Sequence, residues 1–374
     1  MGWRADTDIQ QMLRESAQGH LTSAGGPAHF RTVREREGGF DPAAWKGMAA
    51  LGWTGILLPE SVGGSDLGME PALTLAEELG RAVAPEPFVA CAVMAATVLA
   101  AAPGESARTL AKALVTGEES VTLAWQERTG QVGLTQCETR LSGGKLSGHK
   151  LHVPAWHAAA RLLVWAQGDD GDAIVAVDPA ASGIACKSRR MADASFEADV
   201  AFDNVVVAPE AVILSGGDAR KALTLAIARG TVALSAQMEG LAASLWQRTA
   251  DYVKQRVQFD QPLADFQVLR HRLVDLYADI ELSAASWRKA AGEVEGGMVD
   301  GMALHAAKAR CSQTALDMGR WAIQLHGAFG FTDEADVGLY VNSALRWSSW
   351  LGNAAAHRRL ALAAHRQSAS TKEA

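Results

Sequence analysis

From residue 219 to 254 the chain runs 36 residues without a proline. The stretch reads as one helix, far above the usual length of about 11–12 residues. A helix of that length needs neighbours to cover it. Three further helical patterns follow at 266–295, 299–327 and 334–365, joined by short links. Four long helices in succession predict a bundle. The last residues, 368–374, are polar and small and are expected to fray.

The chain ahead of this block divides in two. Residues 1 to about 120 carry helical periodicity. Asp41-Pro42 opens a helix bearing Trp45, Met48, Ala49 and Leu51, and Gly52 ends it. A breaker-rich loop covers 57–64. A helix spans 70–83, and Ala84-Pro85-Glu86-Pro87 stops it. Between 121 and 214 the character changes to short Val-, Leu- and Ile-rich runs at 121–125, 133–139, 145–153, 161–166, 173–177 and 200–207. Glycine- and aspartate-rich turns separate them, which predicts a small antiparallel β unit or barrel. The expected fold is therefore mainly α with an inserted β domain. It has an N-terminal α-helical domain (1–120), a central small β-barrel or sandwich (121–214) and a C-terminal four-helix bundle (215–374).

Composition narrows the function. A net charge of −7 excludes a general nucleic-acid binder, which needs a basic surface. The apolar run 89–102 is shorter than a membrane span of about 20 residues and reads as a buried helix, so no membrane association is expected. Four cysteines (Cys91, Cys137, Cys186, Cys311) have no CxxC spacing. That disfavours structural zinc and a disulfide framework, leaves no metal site in view, and suits a reducing cytoplasm. The first residues are polar and acidic, without a signal-peptide core.

The chemistry is concentrated in the last block. Tyr252, Arg256, Gln258, Phe259 and Gln267 are followed about sixty residues later by Gln324-Leu325-His326-Gly327-Ala328-Phe329-Gly330. An arginine at a helix end and a glutamine-led, glycine-containing turn suit a phosphate-bearing cofactor held between helices. Other motifs run the length of the chain. They include Trp45–Gly52–Pro59-Glu60–Gly63-Gly64, then Glu77-Glu78-Leu79-Gly80-Arg81 and Pro85–Pro87-Phe88. Gly148-His149-Lys150–Val153-Pro154-Ala155 and Pro262–Phe266-Gln267–Arg272-Leu273–Asp275 follow. In this order the set resembles the acyl-CoA dehydrogenase family across some 340 residues.

The resemblance implies FAD as cofactor and an acyl-CoA thioester as substrate, in fatty-acid or related lipid metabolism. In that family a base takes the α proton while the β hydrogen leaves as hydride to the flavin. It implies that Arg256 meets the FAD pyrophosphate and Phe259 packs on the cofactor. Gln267 and Gln324 would hydrogen-bond a neighbouring subunit's FAD, and Gly327 and Gly330 would let backbone approach it. The strand around Gly148–Ala155 would run beside the flavin. His326 reads as structural. Three positions depart from the pattern: Asp260 for a glycine, Ala328 for the second glycine of a pair, and Asn342 for an arginine. An added carboxylate near a phosphate is unfavourable.

The catalytic base is the largest departure. The family supplies a carboxylate from one of two places, which fall here on Leu351 and at about Gly230. Neither residue takes a proton. Glu239 lies nine residues from Gly230, on the opposite helix face, and reads as a solvated side chain. His357 lies about two turns from Leu351. One reading is a subunit whose homologous partner carries the base in a heterotetramer. Another is a self-sufficient homo-oligomer with an unrecognised base. A third is a non-catalytic structural or binding protein that keeps the fold. Electron-transferring flavoprotein is the family's usual electron acceptor. The tryptophans near the end (Trp321, Trp347, Trp350) fit a broad apolar pocket or plain core packing.

Overall fold

The computed structural model describes residues 6–373, with side chains through 367. In chain order the first helices are α1 (Asp8–Ser23), α2 (Pro27–Arg34), α3 (Pro42–Ala50) and α4 (Met69–Arg81). A buried π-helical turn (Val89–Ala95) leads into α5 (Ala96–Ala101), and α6 (Glu105–Thr116) follows. Eight strands come next: β1 (Ser120–Ala124), β2 (Arg140–Ser142), β3 (Lys145–Pro154), β4 (Ala159–Gly168), β5 (Gly171–Val177), β6 (Ile184–Arg190), β7 (Phe196–Val206) and β8 (Val212–Ser215). Helix α7 (Gly216–Gln255), the short strands β9 (Val257–Gln258) and β10 (Gln261–Pro262), α8 (Gln267–Glu295), α9 (Met302–His326), α10 (Val337–Ser349) and α11 (Ala354–Glu373) complete the chain. The helical, β and helical parts follow the order expected. The fraying foreseen for 368–374 concerns side chains outside the described residues. No described helix is long and apolar enough to cross a membrane.

The chain forms two compact units. The first is Met1–Arg31, Leu73–Ala84 and Thr231–Ala374; the second is Thr32–Ala72 and Pro85–Gly230.

In the first unit α9 packs against α8, α10 and α11. That position explains its run of small buried residues, among them Ala303, Ala307, Cys311, Ala315 and Ala322. Helices α4 and α7 meet backbone to backbone. A Cβ on Gly80 would lie 1.9 Å from the Gln237 carbonyl oxygen, and one on Gly240 would lie 2.0 Å from that of Glu77. The two glycines notch the helices into each other. The single last helix expected over 334–365 is two, α10 and α11. Leu351 (φ 57°) and Gly352 (φ 101°) break it with left-handed backbone.

The second unit holds a sheet in the order β6-β7-β3-β2-β4-β5-β8, with β1 on β4. Its pairings are not all antiparallel as expected: β1 and β2 both run parallel to β4. The run 133–139 is no strand. The N–H groups of Glu138 and Thr139 donate to the buried Glu127 carboxylate rather than to a neighbouring strand. Strand β6 went unforeseen because it is an edge strand whose residues are mostly exposed or half-buried. Inward residues such as Leu146, Val164, Val175, Val200 and Phe202 form the core on one face.

Candidate functional site

The first unit gathers the sequence candidates around a small apolar cluster. Val253 of α7, Leu273 of α8 and Leu325 of α9 are its buried centre, with Tyr252, Leu263 and Trp321 packed against it. Tyr252 stacks on His326, ring centroids 4.2 Å apart at 22°, and lies parallel to Phe329 at 6.3 Å. Its hydroxyl donates to the His326 carbonyl at 3.4 Å. His326 is buried and holds the Ala322 carbonyl through Nδ1 at 2.8 Å, so its role is structural, as expected. Arg256 lies one turn beyond Tyr252, Gln324 and Gly327 flank His326, and Gln267 opens α8. The cluster therefore brings the end of α7, the start of α8 and the end of α9 together.

The polar groups of this region face outward. Arg256, Phe259, Gln267, Gln324 and Gly327 are exposed, and Gly330 is buried. The Arg256 backbone is used internally: its N–H bonds Tyr252 and its carbonyl accepts from Leu263. Among the described residues its guanidinium forms no ion pair. Helix α8, 29 residues long, starts at Gln267 with no side-chain cap; the Leu269 and Arg270 N–H groups bond the Phe266 carbonyl, and the helix presents its positive end there. Gly327 has φ 61° and ψ −143°, backbone that only glycine adopts readily. Nothing lies within 4 Å of where its Cβ would be. A free guanidinium, two amides, a helix N-terminus and exposed aromatic faces form a donor-rich cradle. It fits a ligand with phosphates and flat rings, which is what FAD offers.

Strands β9 and β10 form a hairpin, and Phe259 (φ 54°) and Asp260 (φ 62°) are its two tip residues. A two-residue turn with both φ values positive favours glycine at its second position. Asp260 thus costs conformational strain and adds a carboxylate at the hairpin tip.

The two positions where the sequence reading expected a base carry none. Gly230 is buried in α7. Leu351 is buried, 2% exposed, in the break between α10 and α11. That break is held from α9. Lys308 Nζ donates to the carbonyls of Trp347 (3.3 Å), Ser348 (3.2 Å) and Gly352 (2.9 Å), and to Ser312 Oγ (3.1 Å). Burial pushes the Lys308 ammonium down to about 7, with the nearby Arg346 charge in the same direction. His357 Nε2 donates to the Leu351 carbonyl at 2.8 Å, and its Nδ1 meets His305 Nδ1 at 3.0 Å. His305 Nε2 reaches Asp300 at 2.8 Å. Burial lowers His357 to about 3. It is neutral, with both nitrogens engaged, and is no base at neutral pH.

Glu239 corrects the sequence reading. It is not solvated but 4% exposed, because α4 and α8 cover its face of α7. Burial, reinforced by Glu77, pushes its carboxyl up to about 8 against the opposing charges of Arg81 and Arg288. The neighbouring Glu77 is held low by Arg81 and Arg14 despite its own burial. Helical spacing located Glu239 on its face but carried no signal of what lay opposite. Trp347 is buried, whereas Trp321 and Trp350 are half-buried under Arg272 and Arg346 at 4.5 and 5.6 Å.

In the second unit, Lys150 of β3 pairs with Glu127 at 2.6 Å, both buried. Burial alone would raise the Glu127 carboxyl; the Lys150 ammonium and the N–H groups of Thr139 and Glu138 override it and hold it at about 2.

Comparison with known proteins gives two family matches. Residues 7–118 match the acyl-CoA dehydrogenase N-terminal domain, and residues 219–365 match the acyl-CoA dehydrogenase C-terminal domain. Among characterised proteins, the acyl-CoA dehydrogenase IpdE2 of Mycobacterium tuberculosis is 26% identical over 339 residues, covering 90% of each chain. The acyl-CoA dehydrogenase FadE28 of the same organism is 30% identical over 254 residues, 66% of this chain and 71% of that one. Among solved structures, the Tcur3481-Tcur3483 steroid ACAD G363A variant has a TM-score of 0.87 at 29% identity, covering 96% and 98%.

Proposed function

The chain belongs to the acyl-CoA dehydrogenase family, and from that premise we propose that it takes part in FAD-dependent α,β-dehydrogenation of an acyl-CoA thioester as one subunit of a two-subunit enzyme. The observation that carries the two-subunit reading is the pair Gly230 and Leu351: both expected base positions are buried and neither carries a proton acceptor. The similarity to a steroid dehydrogenase named for two chains supports it.

When bound, FAD supplies the acceptor for the β hydride. The residues of this chain bind and orient. Arg256 offers its guanidinium fork to the pyrophosphate. The α8 N-terminus and the Gln267 and Gln324 amides add donors, Phe259 covers the cofactor, and Gly327 and Gly330 let backbone approach. These groups serve the FAD of a neighbouring subunit, while the α proton passes to a carboxylate of a homologous chain. A bulky acyl group, a cytoplasmic setting, electron-transferring flavoprotein as acceptor and domain limits near 120 and 214 belong to the same reading.

The test is to purify the chain alone and together with a homologous chain bearing a glutamate at either base position. FAD absorbance and turnover of a panel of acyl-CoA thioesters are then measured. The pair is expected to turn over and the single chain not to. Full turnover by the chain alone overturns the two-subunit reading.

A further inference from the structure

The buried Lys150–Glu127 pair of the second unit has a third member that the dehydrogenation reading leaves unused. Cys137 Sγ lies 3.4 Å from Glu127 Oε1 and 3.6 Å from Lys150 Nζ. The carboxylate accepts from the thiol, and the Lys150 nitrogen donates to the sulfur. The Thr139 and Trp165 carbonyls stand beside the sulfur at 3.5 and 3.6 Å. Lys150 Nζ also lies over the Trp165 ring, 5.1 Å from its centroid. Lys150 is 0% exposed, Cys137 2% and Glu127 5%. A nucleophilic sulfur, an amine and a carboxylate therefore share one buried site.

The other cysteines lack this setting. Cys91 and Cys311 are buried too, but among the described residues neither bonds a lysine, and Cys186 is exposed. Cys137 lies in the irregular segment between β1 and β2, with exposed Gln136 and Glu138 on either side. The buried sulfur is thus close under the surface, within reach of a small solute. The Glu138 and Thr139 N–H groups bond Glu127 rather than a strand. This backbone can follow the sulfur toward β3 without breaking a ladder. Burial pushes the Cys137 thiol up to about 12 and lowers the Lys150 ammonium. Both groups are driven toward their neutral forms, with Glu127 as the proton acceptor between them.

We infer that Cys137 and Lys150 form an oxidation-sensitive site, which hydrogen peroxide closes into a reversible S–N bond. The inference is independent of the cofactor and partner readings. In the first step the thiol passes its proton to Glu127 and the sulfur attacks peroxide. The O–O bond breaks, sulfenic acid forms, and the departing hydroxide takes the proton back as water. Lys150 then gives one proton to Glu127 and its amine attacks the sulfur. The S–O bond breaks, and hydroxide leaves with a second amine proton as water. Sulfur is oxidised by two electrons, and peroxide is reduced to two waters. Nζ at 3.6 Å stands just outside the roughly 3–3.5 Å of a near-attack geometry. The last proton stays on Glu127, which has lost its cation. The linked site therefore holds no buried charge, and the desolvation cost of the ion pair is gone.

The test treats the purified full-length chain with increasing hydrogen peroxide until the exposed Cys186 is oxidised, which serves as the internal marker. Peptides are then mapped by mass spectrometry. In the native protein the Cys137 and Lys150 peptides are expected as one species, two hydrogens lighter than their sum. Dithiothreitol is expected to return both peptides unmodified. Cys137→Ala, which leaves a smaller side chain and the ion pair intact, is expected to lose the linked species completely, while Cys186→Ser keeps it. Lys150→Met, with folding checked by circular dichroism, is expected to stop at the Cys137 sulfenic acid, captured by dimedone. Native Cys137 recovered without Lys150 after Cys186 has been oxidised, whether unchanged or carrying oxygen, overturns the proposal. So does a linked species that persists in Cys137→Ala.

Discussion

Glu239 shows how one side chain can set the stability of a unit against pH. Its carboxyl is pushed up to about 8 in the folded chain, above the ordinary value of 4.5. The folded state therefore keeps a proton that the unfolded state releases. Its contribution is fully present below pH 4.5 and is lost as pH rises through 8. Lys308 acts in the opposite sense. Its folded value of about 7 lies below 10.5, so stability recovers as pH rises from 7 toward 10.5. Between pH 5 and 6.5 Glu239 is opposed by His357, whose value, lowered by burial to about 3, makes stability rise with pH. Glu239→Gln is expected to make the melting temperature rise more steeply with pH in that window, by removing a downward slope on the order of 1 kcal/mol per pH unit. An unchanged slope would show that Glu239 is charged in the fold. Helical spacing sets its angular position relative to Gly230. Its burial depends on α4, a helix about 160 residues away in the chain, which no local pattern reports.

At the scale of elements, the hairpin between α7 and α8 is the least settled piece. Two positive φ values fall on a phenylalanine and an aspartate, and the phenylalanine is 87% exposed. Asp260→Gly is expected to raise stability by roughly 0.5–1 kcal/mol in chemical denaturation, since left-handed backbone is unfavourable for a residue with a Cβ. The same change removes a carboxylate from the hairpin tip and should tighten FAD binding, measured by fluorescence titration. Asp260 stands out in the sequence as a departure from glycine, but no hairpin was expected there. The break between α10 and α11 also escaped the sequence reading, because periodicity runs through Trp350 and Leu351 almost unbroken. What ends α10 is Lys308, a side chain from another helix that takes its last carbonyls. Likewise the run 133–139 has strand-like composition, yet its donors go to Glu127.

At the scale of the whole molecule, large apolar side chains remain uncovered in a single chain. Phe259, Phe331 and Val268 are 87%, 78% and 72% exposed. Surfaces of this kind mark association sites. The chain alone is expected to self-associate as its concentration rises, with little relief from salt, and the double variant Phe259→Ser, Phe331→Ser to shift sedimentation toward monomer. Identical sedimentation of the two would argue against these residues as contacts. The order of helical, β and helical parts was legible because periodicities of 3.6 and 2 differ over long stretches. The grouping into units was not, because it depends on contacts between distant segments.

The interleaving of the two units also imposes an order on synthesis. After Ala84 leaves the ribosome, 85–230 must be made before Thr231 begins the rest of the first unit. At ordinary elongation rates that is a wait on the order of ten seconds. At its end the second unit has all of its chain and can close. Glu77, Glu78, Arg14 and Arg81 are meanwhile already made, but Glu239 and Arg288 are not yet translated. The nascent chain thus holds a partly assembled charge cluster while its β core completes. A pause placed in the codons after 230 would lengthen that exposure without changing a single residue of the product.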